Sequence, residues 1–362
     1  MEENLRGAFK QLESFPTEED YRNSKEMSYS IFKELYDNPE ILLGEKEEKK
    51  EEWFVFGTLV DMLLTDSAVN IDNKVVINDF VPSDQFKAIA DYILENDLNV
   101  LELSDTQVEE VYTNTGSKVN WGIPVKRQKI LDNCAQYITL LRDNADKIIV
   151  SSILFEEATK VANVFLTHRW TRDLFMSEVE QKANNIEILY QYKIKYKIRD
   201  IPFRSMLDVV VIDHGAKKIY PYDIKTGSDY PRTFLTTACY RYKYMYQAYL
   251  YKEGLTAFVE DSIAFKDYEV QDFRFVYVSR IKPTYPVILH INEYMHESFY
   301  QQGLYNNRYE LPAVKDLLMC LTGTLKRIQE GETILEPYDL YKNHGEYTLE
   351  LDITNMADGM FC

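Results

Sequence analysis

Two short apolar stretches hold two carboxylates and one amine that could act together. Asp208 lies inside Met206-Leu-Asp-Val-Val-Val-Ile-Asp213, and Asp223 and Lys225 lie inside Lys218-Ile-Tyr-Pro-Tyr-Asp-Ile-Lys-Thr-Gly227. In an extended chain, residues two apart share a face, so Asp223 and Lys225 point together while Ile224 points away and leaves its carbonyl free as a further oxygen ligand. Asp208, Asp223 and that carbonyl form an oxygen set suited to Mg2+, which takes hard donors at about 2.0–2.1 Å and keeps several waters. Mn2+ accepts the same donors. Such an ion would activate a water and offset charge on a phosphoryl group, while Lys225 would orient or help deprotonate that water and stabilise the same charge. Spacing alone proves little, because Asp72-Asn-Lys74, Glu47-Glu-Lys49 and Glu180-Gln-Lys182 repeat it by chance. The apolar strand context sets Asp223-Ile-Lys225 apart. Burying Asp208 between Leu207 and Val209 without a partner would cost on the order of several kcal/mol. A structural salt bridge between Asp208 and Lys225 is the plain alternative.

The elements that must position these groups can be read around them. Tyr190, Tyr192, Ile194, Tyr196 and Ile198 alternate with Gln191, Lys193, Lys195, Lys197 and Arg199, which predicts a strand with one packed and one basic face. Strands at Ser205 to Ile212 and Lys218 to Lys225 follow, with His214-Gly215 between them. A helix from about Thr233 to Lys252 and a strand over Asp272 to Ser279 complete an α-β-β-β-α-β order. Upstream, Met27 to Pro39 reads as a helix with Ser28 as N-cap and Pro39 as stop. The mixed-charge run Glu45 to Glu52 leads into a buried helix at Trp53 to Leu64. Asp66 to Val150 reads as an insertion: turn-rich at Val69 to Ser83, then helical near Gln85 to Leu94, Thr106 to Tyr112 and Val125 to Arg142. Phe155 to Gln181 predicts one or two helices, and Asn292 onward is helical with a loop-rich finish. The expected fold is α+β, with a mixed central sheet, a large helical insertion and helical flanks. Its segments are 1–65, 66–150, 151–290 and 291–362.

A chain of 362 residues with 45% hydrophobic content can bury a sizeable core. Its longest apolar run is broken by Asp61 well short of a membrane span, so no membrane association and a cytoplasmic location are expected. Cys134, Cys239, Cys320 and Cys362 lie far apart with no C-x-x-C pair, which argues against zinc and against an iron-sulfur cluster. The net charge of −18 would ordinarily discourage a nucleic acid partner. Yet Gln191 to Lys252 holds twelve Lys and Arg against five Asp. Basic charge thus surrounds the proposed site, where it would steer a polyanion. Lys193, Lys195, Lys197, Arg204, Arg241 and Lys243 are the candidate phosphate contacts, although a merely solvated basic face is the bland alternative.

Taken together, Asp208, Asp223-Ile-Lys225 and their strand context resemble the PD-(D/E)XK nuclease superfamily, whose restriction-endonuclease-like core has the αβββαβ order. Three flanking features resemble its RecB-like, exonuclease VIII (RecE-like) branch. Phe56-Gly-Thr-Leu-Val-Asp61 looks like the G-x-x-x-H element, with Asp61 where the family has His, and Asp remains a hard ligand for Mg2+. Tyr242-Lys-Tyr-Met-Tyr-Gln-Ala-Tyr-Leu-Tyr251 resembles the Tyr-x-x-Gln-x-x-x-Tyr helix. On helical spacing it sets Tyr240, Tyr244, Gln247 and Tyr251 on one stripe, with Gln247 able to reach a phosphate or carboxylate and the tyrosines able to stack on DNA. The family also has an upstream Glu, for which Glu187 and Gln191 compete: Gln191 has the better spacing, but Glu187 has the right chemistry and is the residue favoured here. The resemblance implies a Mg2+-dependent deoxyribonuclease, digesting linear double-stranded DNA 5′ to 3′ as a ring-shaped homo-oligomer. It also implies a bacterial or bacteriophage recombination setting and a single-strand annealing protein as partner. An endonuclease or CRISPR-adaptation nuclease of the same fold, and a DNA-binding protein with a decayed site, are the competing readings.

Overall fold

A computed structural model describes residues 5–44, 52–65, 68–80, 82–305 and 310–337. Most of the charged run at 45–52 and everything beyond 337, including Cys362, lie outside the described residues. Apolar and β-branched runs build the centre of the molecule. Among the described residues the main sheet has six strands: β1 (Ile186–Ile198), β2 (Ile201–Asp213), β3 (Lys218–Gly227), β4 (Glu269–Val270), β5 (Phe273–Ser279) and β6 (Val287–Ile291). Its order is β1-β2-β3-β5-β6, with β4 also beside β3. The sheet is mixed. β1, β2 and β3 form an antiparallel meander, β3 and β5 are parallel, and β5 and β6 are antiparallel. The β1–β2 hairpin turns at Arg199 and Asp200, both with positive φ (49° and 65°), the backbone of a type I′ turn.

Helices cover both faces, giving three layers around a mixed sheet: the α+β class expected, with the αβββαβ order at its centre. On one face lie α1 (Glu52–Thr65) and α5 (Ser152–Thr167), where Phe56, Leu59, Val60, Val161 and Phe165 meet Ile188, Val209, Ile224 and Val276. On the other lie α6 (Pro231–Tyr240), α7 (Tyr244–Glu260), α8 (Glu293–Gln302) and α9 (Val314–Gln329), where Phe234, Met245, Leu255, Phe299 and Leu317 meet Tyr192, Ile212, Phe275 and Tyr277. Three further helices, α2 (Asp84–Glu95), α3 (Asp105–Asn114) and α4 (Ile123–Asp143), gather Ile89, Ile93, Val108, Val111, Ile130, Cys134 and Ile138 into a separate core.

Several local expectations change. The strand expected to alternate without interruption from Tyr190 resets at Gln191, whose φ is +49°. Tyr190 faces the α1/α5 layer, whereas Tyr192, Ile194 and Tyr196 face the α7 layer. The single helix expected over Thr233 to Lys252 is two, broken at Arg241 to Lys243, where Lys243 takes φ +55°. The break is held from outside: Tyr242 donates its hydroxyl to Asp229 (2.9 Å), and the Lys243 ammonium reaches Asp37 (2.8 Å) and the Lys33 carbonyl (3.1 Å). Tyr240 therefore leaves the stripe of Gln247 and Tyr251. The stretch read as turns at Val69 to Ser83 contains a helix (Ala68–Lys74) and a strand (Val75–Ile77) that pairs in parallel with Ile148–Val150. The opening helix shrinks to Tyr29–Phe32, and Ser28 makes no capping hydrogen bond. Among the described residues no helix is long and apolar enough to cross a membrane.

Close contact fixes α7 against the sheet. A Cβ on Gly254 would come within 2.4 Å of the Tyr196 ring, which itself bonds Ser205 (2.9 Å) and stacks on Phe203. Farther along, His296 on α8 is 4% exposed and stacks on Tyr249 with ring centroids 4.5 Å apart. Burial, and then the nearby Lys252 ammonium, push its imidazole down to about 4. The unfolded imidazole titrates near 6.5, so the folded chain resists the proton. Stability is then complete above about pH 6.5 and falls between there and about pH 4, by roughly 2–3 kcal/mol. Urea unfolding of wild type and His296→Gln across that range should show the wild type losing ground with acid relative to the variant. Parallel curves would remove this account.

Candidate active site

The carboxylates meet where two strands part. Antiparallel pairing between β2 and β3 stops at Val209↔Tyr222, one step short of Asp208 and Asp223, while β3 continues beside β5 as far as Gly227↔Ser279. In the gap, Asp208 Oδ2 accepts the Ile224 amide N–H (2.8 Å) in place of a backbone carbonyl. Within one extended residue the N–H and C=O point to the same side, so the Ile224 carbonyl also faces the gap. The Ile224 side chain is buried in the α1/α5 layer. Across from Asp208, β1 and β2 omit the Gln191 and Asp208 pair from their ladder, and Gln191 Nε2 instead approaches Asp208 Oδ1 at 3.4 Å.

Asp223 is buried, and its oxygens are treated differently. Oδ1 accepts Gln247 Nε2 from α7, and Oδ2 forms an ion pair with Lys225 Nζ. Beside this pair, Gln247 Oε1 is a buried acceptor without a hydrogen-bond donor. The expected salt bridge of the plain reading thus involves Asp223 rather than Asp208. Lys225 also lies over the Tyr244 ring at 4.9 Å and 5.9 Å from the Phe275 ring centroid. It keeps 18% of its side-chain surface exposed.

Burial raises three acids at the site. Desolvation comes first for each, and like charge adds to the rise of Asp61 and Asp208 only. Asp61 on α1 is pushed up to about 7, with Lys225 opposing and Asp223 adding to the rise. Asp208 is held well above the usual carboxylate range by burial, then Asp223 and Asp61. Asp223 is raised by burial against the pull of Lys225. Burial alone would lower the Lys225 ammonium, but Asp223, Tyr244 and Asp208 more than reverse this. Asp61, Asp208 and Lys225 lie deep in protein yet remain partly exposed, as groups on the floor of a recess do. Gly57, one turn before Asp61, sits over Thr226 at an ordinary contact distance (3.8 Å from a Cβ), so it is not demanded by crowding.

The donor chemistry would suit a hard divalent cation: carboxylates of Asp61, Asp208 and Asp223, a carbonyl facing the gap, and the amide oxygen of Gln247, which lacks a donor. As the side chains stand, they turn to protein partners, and among the described residues no three His, Cys, Asp or Glu close on a single point.

Other candidates lie elsewhere. Glu187 pairs in register with Ile212, four positions along β2 from Asp208. Its carboxylate accepts the Gly7 amide (3.1 Å) and meets His214 (3.2 Å), which in turn meets Tyr268. Gln191 is the residue facing Asp208. Of the basic set, Lys193 is paired with Glu13 (3.0 Å), Lys195 with Glu26, and Lys243 with Asp37. The Arg204 guanidinium is spent on the carbonyls of Tyr21, Arg22 and Ser24. Lys197 and Arg241 are exposed, and Tyr240 is half-buried against the core of the α6–α9 layer. Burial would raise the Glu26 carboxyl, but Lys195 and Ser24 bring it down to about 2. This segment of the chain therefore neutralises much of the basic strand face.

No protein-family profile matches the sequence. No curated protein matches it either. Among solved structures it is similar to one from Eubacterium rectale described as a "Putative exonuclease", at 11% identity over 95% of this chain and 98% of that chain, with a TM-score of 0.45.

Proposed function

We propose that this chain is a metal-dependent phosphodiesterase acting on DNA. The observation that carries the reading is the parting of β2 and β3 around Asp208 and Asp223, with Lys225 between them and the aromatic wall of Tyr244. Structural ion pairs do not require a third acid, and Asp61 adds one to a partly exposed recess that already holds excess negative charge. Asp61, Asp208, Asp223 and the Ile224 carbonyl would hold Mg2+ or Mn2+. When bound, such an ion lowers the pKa of water and offsets phosphoryl charge. The chain's own residues do the rest. Lys225 places an ammonium where negative charge develops and donates a hydrogen bond to the attacking water. Gln247 holds Asp223 Oδ1, and Gln191 and the Ile224 amide hold Asp208.

Within this reading, the sequence resemblance favours a 5′ to 3′ exonuclease on linear duplex DNA, working as a homo-oligomer in the cytoplasm with a single-strand annealing partner, in bacterial or phage recombination. Incubation with 5′- or 3′-labelled linear duplex, nicked circle and closed circle, in Mg2+, Mn2+ or EDTA, tests it. Release of nucleotides from linear DNA, abolished by EDTA and by Asp208→Ala, is the expected result. Cutting of closed circles would favour an endonuclease. Equal inertness of wild type and variant on every form would leave a DNA-binding protein with a decayed site.

A further inference from the structure

The loop after α5, His168-Arg169-Trp170-Thr171-Arg172, is a cationic and aromatic surface that the site described above does not use. Trp170 is 53% exposed, an unusual position for so large an apolar ring. The Arg169 guanidinium lies over its ring at 5.6 Å, and the His168 ring meets it edge-on at 4.7 Å. Arg172 is largely exposed, with Asp173 at 3.5 Å as its acidic neighbour.

Despite its exposure, the loop is firmly built. Thr171 is fully buried and donates its hydroxyl to the Phe165 carbonyl (2.7 Å). The amides of Thr171 and Arg172 both donate to the His168 carbonyl, and the Trp170 amide donates to His168 Nδ1 (3.3 Å). An aromatic face held rigid before any ligand arrives loses little entropy on binding. The loop is also tied to the site: Tyr190 donates to the Leu174 carbonyl (2.9 Å) and stacks on Phe175, and Tyr190 directly precedes Gln191, the residue facing Asp208.

We propose that Trp170, with Arg169 and Arg172, is a platform on which an unpaired nucleotide of a DNA strand stacks next to the recess holding Asp208. The inference rests on the nuclease reading for its substrate. A planar ring with the Arg169 guanidinium over it, and Arg172 two residues on, in an otherwise acidic chain matches the two features common to every nucleotide, a π-face and a phosphate. Stacking on an aromatic side chain tolerates any sequence, and the arginines add a salt-dependent contribution. The platform also supplies positive charge beside the site that Lys193, Lys195 and Arg204 do not, since those are engaged by residues 13–26.

The test is fluorescence anisotropy with a short labelled single-stranded oligonucleotide in EDTA, where no cleavage interferes. Trp170→Ala should weaken binding about tenfold while Trp170→Phe stays within about threefold of wild type, because stacking survives with a smaller ring. Arg169→Ala with Arg172→Ala should flatten the dependence of affinity on salt. Unchanged melting temperatures confirm intact folds, as expected for a ring this exposed. Equal affinity of Trp170→Ala and wild type, or no binding of the oligonucleotide by wild type, overturns the platform. A wild type that binds through Trp170 but cleaves no DNA under any metal overturns the nuclease reading instead.

Discussion

Lys225→Met is expected to lower kcat on linear duplex DNA by about 10²–10³-fold with little change in KM, the signature of a group that acts on developing charge more than on bound substrate. Two consequences of the geometry sharpen this. Lys225 is the ion-pair partner of buried Asp223, so its loss leaves that carboxylate with Gln247 alone. Asp223 then becomes harder to ionise, and more Mg2+ should be needed for half-maximal rate at neutral pH. Raising the pH should recover part of that metal affinity but not the lost turnover. Lys225→Arg should not rescue, since a guanidinium stacked on the Tyr244 ring and forked onto Asp223 does not present its charge to the substrate as a compact ammonium does. Initial rates across Mg2+ concentration and pH would separate the two effects. A methionine variant within about threefold of wild-type kcat would refute the assigned role.

The largest expected loss of stability lies far from the chemistry. Gly303 closes α8 with φ +71° and ψ −161°, a backbone region that side chains scarcely enter. A Cβ there would stand 2.2 Å from the Leu311 carbonyl oxygen, 2.8 Å from the Ala313 nitrogen and 3.0 Å from the Pro312 carbonyl carbon. All three are main-chain atoms and cannot swing aside. Gly303→Ala should therefore cost about 3–5 kcal/mol, combining backbone strain with displacement of the segment leading into α9. Equilibrium urea denaturation measures it directly, and a midpoint shift worth less than about 1 kcal/mol would contradict the account.

What could be read from the sequence was local. Strand alternation puts Asp223 and Lys225 on one face, and a helix of known direction puts Gln247 where it can reach them. Neither inference needs distant information. What could not be read depends on contacts far along the chain. Lys193, Lys195 and Arg204 look like a basic face until residues 13–26 arrive, some 180 positions earlier, to occupy them. The break at Arg241 to Lys243 is decided by Asp229 and Asp37, not by any helix-breaking residue at the break itself. The choice between Glu187 and Gln191 turns on a positive φ at a non-glycine residue, which composition does not announce. An isolated aromatic in a helical stretch, such as Trp170, reads as core. An arginine on each side of it, in an acidic chain, was the available signal.

The helices α2, α3 and α4 keep their own apolar interior, and the chain leaves for them and returns through the paired strands Val75–Ile77 and Ile148–Val150. Departure and re-entry points thus lie side by side, which makes the intervening unit a cassette: a brief linker could bridge the neck. A module joined through such a neck can be cut out or exchanged by an engineer with the central sheet left in place.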